Sequence, residues 1–214
     1  MLIDQVFKEP NWSKQLRDCY DKYDKLKIDS ENLLKTMNMV TEVDILFIKQ
    51  IELKYLTKIK KLFYLLAVNG SKAPNISQLA HDIKTSRATV MNYIKYLADA
   101  RLINMIYPID HSFPKKPTKV MMHNSNLIYA IYPIKVETQD VMETFLVNSL
   151  WKDHLVNQSG RDNFYTIDGD MKFRVCDAND FSRIKPSSDT IYARYNTEVG
   201  KGNEIPLWLF GFLY

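Results

Sequence analysis

Residues 53–68 (LKYLTKIKKLFYLLAV) place Leu53, Leu56, Ile59, Leu62, Phe63 and Leu66 on one stripe, three or four positions apart. That period predicts an amphipathic helix, and Asn69-Gly70 supplies its stop. After Pro74-Asn75 the pattern resumes in Ile76–Ile83, with Asn75 or Ser77 as cap. Lys84-Thr85 makes a tight turn, and Ser86 caps a longer helix from Arg87 to about Ala100. Leu79, Ile83, Val90, Tyr93 (or Ile94) and Leu97 form a shared core, and Ala80 permits close approach of the two helices. A helix, a short turn and a longer helix is the helix-turn-helix plan, although Lys84 stands where the turn glycine is usual. Two strands follow, Leu102–Tyr107 and Lys119–Met122, joined by a connection that Pro108, Pro114 and Pro117 punctuate. A hairpin with a basic tip beside the second helix predicts a winged helix.

The flanks have other periods. Residues 1–50 read as helices, with a start at Pro10–Ser13, a stripe of Leu16, Tyr20 and Tyr23, and a second start at Asp29-Ser30 leading through Leu33, Leu34 and Met37. Glu42–Ile45 then leads into Phe47, Ile48 and Ile51. Beyond the hairpin, a short helix is expected over 124–132 and an amphipathic one over 140–154, burying Phe145, Leu146, Leu150 and Trp151. Strands are expected over 163–167, 170–176, 190–193 and 207–214, the last apolar on both faces and covered on both. Helices followed by strands give an α+β chain: a helical segment (1–50), a winged helix (51–122) and a small α/β domain (123–214).

Charge sharpens this division. The net +4 resolves into −1 over 1–50, +8 over 51–123 and −3 over 124–214, so the positive excess sits in the middle segment. That asymmetry points to nucleic acid or another anionic partner. A solvated, lysine-rich helix carrying Lys54, Lys58, Lys60 and Lys61 is the plainer reading of part of it. The chain is 46% hydrophobic and 25% charged, an ordinary globular balance. Two cysteines, Cys19 and Cys176, lie far apart without CxxC spacing, which fits a reducing compartment and a core role for Cys176. The first residues carry no basic, apolar leader, and the apolar stretch 205–214 is about half the length of a membrane span. The expectation is a cytoplasmic protein with no membrane partner.

The chemistry visible in the sequence is sparse. None of the six glycines begins GxxxxGK[ST] or GxGxxG, so no nucleotide is held in either of those ways. His81, His111, His123 and His154 are not spaced as a metal box, and His81 reads as a surface residue. Asp168-Gly169 reads as a hairpin turn rather than a metal loop, because the carboxylates that follow lack calcium-loop spacing. Gly200-Lys201-Gly202 reads as a turn before the last strand.

The closing segment Ile205-Pro206-Leu207-Trp208-Leu209-Phe210-Gly211-Phe212-Leu213-Tyr214 is similar to the ending of a large group of bacterial AAA+ family ATPases, many from Bacteroidetes. Thr41–Ile45, Pro74–Leu79, Ser86-Arg87, Tyr93, Tyr96-Leu97, Leu102–Asn104, Lys119-Val120, Asn124–Leu127, Glu143–Phe145 and Gly169-Asp170 resemble that family in order. Full members begin with a P-loop ATPase domain that has no counterpart here, so the resemblance implies the C-terminal half alone. It also implies a restriction-endonuclease-like last domain, a class in which carboxylates and a lysine hold a divalent metal. Glu143 persists. The family's acidic residue before the Asn124 segment is His123, its next Glu is Arg174, and its Lys is Ala178.

These readings predict a non-catalytic module with no enzyme activity, cofactor or metal of its own, which binds double-stranded DNA. Arg87, Thr89, Asn92 and Lys95 would face the major groove, and Lys115, Lys116 and Lys119 the phosphates. A protein-interaction or regulatory module of an ATPase is the alternative, and a residual metal-dependent nuclease ranks third.

Overall fold

The computed structural model describes residues 25–45, 52–160, 163–177, 181 and 186–213. The reading of Pro10–Tyr23 as a first helix lies outside them. The described chain is α+β, with helices leading and a mixed sheet following.

Helix α1 (Lys25–Met39) runs into a π-helical turn, Val40–Ile45. Asp29-Ser30 therefore lies inside α1 instead of opening a helix. The stripe Leu33, Met37 and Val40 packs on the helical core, and that burial outweighs the local preference of Asp and Ser for a cap. Helix α2 (Leu53–Asn69) is the central element, with Ile59, Leu62, Phe63 and Leu66 buried on one stripe. It ends at Gly70, whose φ of 65° suits glycine. A Cβ there would stand 2.0 Å from Oδ2 of Asp140, so glycine is also needed for the close approach. Ser71 fastens the same join by donating to Oδ1 of Asp140 at 2.6 Å.

Helices α3 (Ile76–Asp82) and α4 (Arg87–Asp99) follow, each capped as the sequence suggests. Asn75 accepts from the Gln78 amide and Ser86 from the Thr89 amide, both at 3.1 Å. Lys84 takes the left-handed conformation (φ 52°) in the turn between them. Val90, Tyr93, Ile94 and Leu97 bury one face of α4, each contributing on the order of 1.5–3 kcal/mol.

Strands β1 (Ile103–Ile106) and β2 (Lys119–Met122) pair antiparallel, Ile103 opposite Met122. Both faces of this ribbon are covered, so the two-residue period divides its side chains between two cores. Ile103, Val120 and Met122 join the helical core, which also takes in Leu127 and Ile128 of α5 (Ser125–Ile131) and Val141 of α6 (Thr138–Leu150). Ile106 and Met121 join the second core with Leu146, Leu150, Tyr165 and Val175.

The second core lies between α6 and a five-stranded sheet in the order β3 (Val156–Gln158), β4 (Phe164–Ile167), β5 (Met171–Cys176), β6 (Thr190–Arg194) and β7 (Glu204–Pro206). The first three strands form an antiparallel meander, and β5, β6 and β7 run parallel. The Asp168-Gly169 turn has φ of 54° and 87° and joins β4 to β5 as expected. Strand β3 has no strong sequence signal, being three residues long. It is held to the ribbon by the Gln158 amide donating to Tyr107 O at 2.9 Å.

The expected terminal strand is corrected. Only Glu204–Pro206 is extended, and Leu207–Leu213 forms a 3₁₀ helix. Leu207 and Phe210, three apart, are buried, as a three-residue turn requires, whereas Leu209, Phe212 and Leu213 are exposed. The segment is therefore covered on one side only. Among the described residues no helix is long and apolar enough to cross a membrane.

Candidate nucleic-acid interface

Helix α4 turns its N-terminal half outward. At 100° per residue, Asn92 and Lys95 fall opposite the buried Val90, Ile94 and Leu97, whereas Arg87 lies on the Ile94 side and is exposed because it opens the helix. Arg87 and Asn92 are exposed, and neither side chain has a bonding partner among the described residues. Thr89 is half-buried, and its hydroxyl shares a hydrogen bond of 2.8 Å with Ser86, so it serves the cap. Lys95 is half-buried and ion-paired with Asp99 one turn on. Lys115 and Lys116 stand exposed in the β1–β2 connection, without side-chain partners among the described residues.

Lys119 does not belong with them. It is 2% exposed, and its Nζ donates to Glu143 Oε2 at 2.5 Å and to Tyr165 Oη at 3.3 Å. A phosphate cannot reach it. The reason lies in the ribbon's period: Lys119 and Met121 share the face that meets α6, so the position one residue past the loop already points inward.

This lysine completes a buried polar network. Tyr165 Oη also donates to Glu143 Oε2, and Gln139 Nε2 donates to Glu143 Oε1 at 2.9 Å and to Val175 O at 3.2 Å. Tyr195 Oη donates to Gln139 Oε1 at 3.3 Å. Glu143 thus meets a cation and two neutral donors, which is the condition for burying a carboxylate at all. The sequence shows Glu143 only as a carboxylate within the 140–154 helix, and no spacing there points to its partner 24 residues upstream.

The metal site implied by the family resemblance does not fit these residues. Arg174 lies 4.8 Å over the Phe164 ring, and its buried Nε has no partner among the described residues. His123 Nδ1 donates to Asn104 Oδ1 at 2.8 Å. Ala178 lies outside the described residues. Among the described residues no three of His, Cys, Asp and Glu gather to hold a metal ion.

The lysines of α2 divide in two. Lys58 Nζ donates to Lys84 O and Lys61 Nζ to Asp82 O, both at 2.7 Å, so they bind carbonyls at the end of α3 and orient α2 against the turn. Lys54 and Lys60 pair with Glu52 and Glu42. Asp82 sits below the usual carboxylate range, first because Gln78 donates to it and then because of His81. The outward positive charge of this region therefore concentrates on Arg87, Lys115 and Lys116, with Lys72, Lys84 and Arg101 also exposed.

Residues 18–138 match a family described as a domain of unknown function (DUF8612). The chain belongs to that family. The match takes in α1 to α5 and the ribbon, and ends where α6 begins. A search of the curated proteins finds no match to this chain, and neither does a search of the solved structures.

Proposed function

We propose that this chain is a non-catalytic, DNA-binding module whose residues 75–122 act as a winged helix, with α4 as the reading helix and the β1–β2 connection as the wing. The observation that carries this reading is exposed Arg87 at the start of α4 and exposed Asn92 on its outer face, together with exposed Lys115 and Lys116. Arg and Asn are the side chains that read guanine and adenine edges bidentately, and two mobile ammonium groups suit phosphates. Lys95 takes a lesser part through its pairing with Asp99, and Lys119 takes none. The resemblance to the C-terminal half of bacterial AAA+ ATPases suggests a module that couples DNA to a motor domain. The commitment of Glu143 to Lys119, Tyr165 and Gln139 supports a last domain that serves as scaffold.

A salt series with a mixed duplex tests it. Lys115→Ala with Lys116→Ala is expected to weaken binding to every sequence and to flatten the log–log salt slope by about 2. Arg87→Ala or Asn92→Ala is expected to relax base preference by roughly 1–3 kcal/mol at one position. Unchanged affinity in all four substitutions would transfer the assignment to the second reading, a protein-interaction module of an ATPase. That reading draws on Leu209, Phe212 and Leu213, which leave an apolar edge uncovered at the 3₁₀ helix.

A further inference from the structure

A cleft of about 630 Å³ opens between the C-terminal ends of α4 and α6 and the outer end of β1. Its size suits a small-molecule site. It adjoins the α4 reading face and shares Lys95 with it, while Arg87 stands twelve positions before Asp99, roughly 18 Å along the helix.

Asn104 lines the cleft and is 2% exposed, yet its Nδ2 has no partner among the described residues. A buried amide of this kind is costly to leave unsatisfied and calls for a bonding group from outside. Its Oδ1 is joined to His123 Nδ1. Burial first, and the charge of Arg101 second, hold the His123 pKa below its ordinary value and favour the neutral ring. In the neutral ring the two nitrogens have opposite roles, so the Asn104–His123 pair holds one donor and one acceptor that no described residue takes up, the donor beneath the surface of the cleft lining. Turning the amide over exchanges the two roles without removing either.

Three cations, Lys95, Arg101 and Lys152, also line the cleft, with Asp99 as the single anion, leaving a net charge of +2. They are not required to cap α4. The Ala100, Arg101 and Leu102 amides already close its last turn onto Tyr96 O, Ala98 O and Leu97 O, each at 3.0 Å. Arg101 holds its place in the left-handed conformation (φ 54°). Trp151, half-buried, gives the cleft an aromatic wall.

We propose that this cleft binds a nucleoside monophosphate, its base edge on Asn104 and His123, its ring against Trp151, and its phosphate between Arg101 and Lys152. The net +2 matches the charge of nearly −2 on one phosphate monoester at neutral pH, and falls short of the charge on a triphosphate. An amide with an adjacent ring nitrogen complements the neighbouring donor and acceptor of a base, and indole stacks on any base.

Calorimetry on the full chain with AMP, GMP, CMP, UMP, ribose 5-phosphate and inorganic phosphate tests it. One nucleotide is expected to bind with a Kd on the order of 10–100 μM, with ribose 5-phosphate and phosphate at least tenfold weaker. Lys152→Glu, at an exposed position, is expected to weaken that nucleotide about tenfold or more with an unchanged melting temperature. Asn104→Ala is expected to erase base preference. Because it truncates a buried residue, Trp151→Leu provides a second variant that should bring the nucleotide down to the level of ribose 5-phosphate. No binding at 1 mM, phosphate binding as tightly as every nucleotide, or Lys152→Glu without effect would each overturn the assignment.

Discussion

The helical half and the sheet half differ in how far along the chain many of their side-chain hydrogen bonds reach. In the helical half the caps are local: Asn75 caps three residues ahead, Ser86 does the same, and Thr41 returns to Met37 four residues back, while Ser71 reaches Asp140 across 69. In the sheet half Lys119 reaches Glu143 across 24 residues, Gln139 reaches Val175 across 36, and Asn157 reaches Tyr107 across 50. Local bonds form with the element that contains them. Long-range bonds exist only once two elements have packed, so each of them reports on tertiary order and depends on it.

The largest effect should come from breaking the buried ion pair Lys119–Glu143. Glu143→Ala strands the Lys119 ammonium in the core and is expected to cost about 3–5 kcal/mol in urea denaturation. Lys119→Met with Glu143→Leu removes both charges and is expected to recover most of that loss. A double variant as unstable as the single one would mean that Gln139 and Tyr165, and not the charges, hold α6 to the ribbon.

The next contrast lies within one segment. Phe210 is buried and meets Phe173 edge to face, with centroids 5.9 Å apart. Phe210→Ala is expected to cost about 3–5 kcal/mol, and Leu213→Ser, one turn further on and exposed, no more than about 0.5 kcal/mol. Equal losses would show the 3₁₀ helix covered on both sides. A smaller loss, about 1 kcal/mol, is expected of Ser86→Ala, which removes only a local cap of α4. A loss near that of Glu143→Ala would erase the distinction between the two halves.

The same contrast governs what the sequence reveals. The stripes of α2 and α4, the caps at Asn75 and Ser86, and the turn at Asp168-Gly169 are written in spacings of four residues or fewer, and the structure places them where those spacings indicate. Lys119 was legible in principle, since strand alternation puts it with Met121, but a lysine beside a basic loop reads as surface until Glu143 is seen opposite it. The terminal decapeptide misled because an unbroken apolar run has no period. Only packing on α6 selects Leu207 and Phe210 for burial and leaves Leu209 and Phe212 out. The cleft at Asn104 combines residues from α4, β1, β2 and α6 and has no signature in any one of them.

The smallest effect concerns His123, which stands where the two halves meet and draws its surroundings from both. Burial and then Arg101 depress its pKa in the folded chain, whereas the unfolded chain restores it to about 6.5. As the pH falls, the unfolded state therefore takes up this proton first. The contribution to stability is complete above about pH 6.5 and is lost as the pH falls through the folded value. Other depressed groups leave this window clear: Asp189, hydrogen-bonded first by Lys172 and then by Ser187, titrates at about 2, and Asp168, bonded first by His154, also sits below the usual carboxylate range. Urea midpoints at pH 7.5 and 5.5 are expected to differ in the parent chain, with the lower value at pH 5.5. In His123→Gln, which keeps a polar partner for Asn104 but cannot be protonated, that difference is expected to shrink. A variant whose midpoint falls as far as the parent's would show that the ring gains its proton in the folded state as readily as in the unfolded one, and that the join between the halves is wetter than its burial indicates.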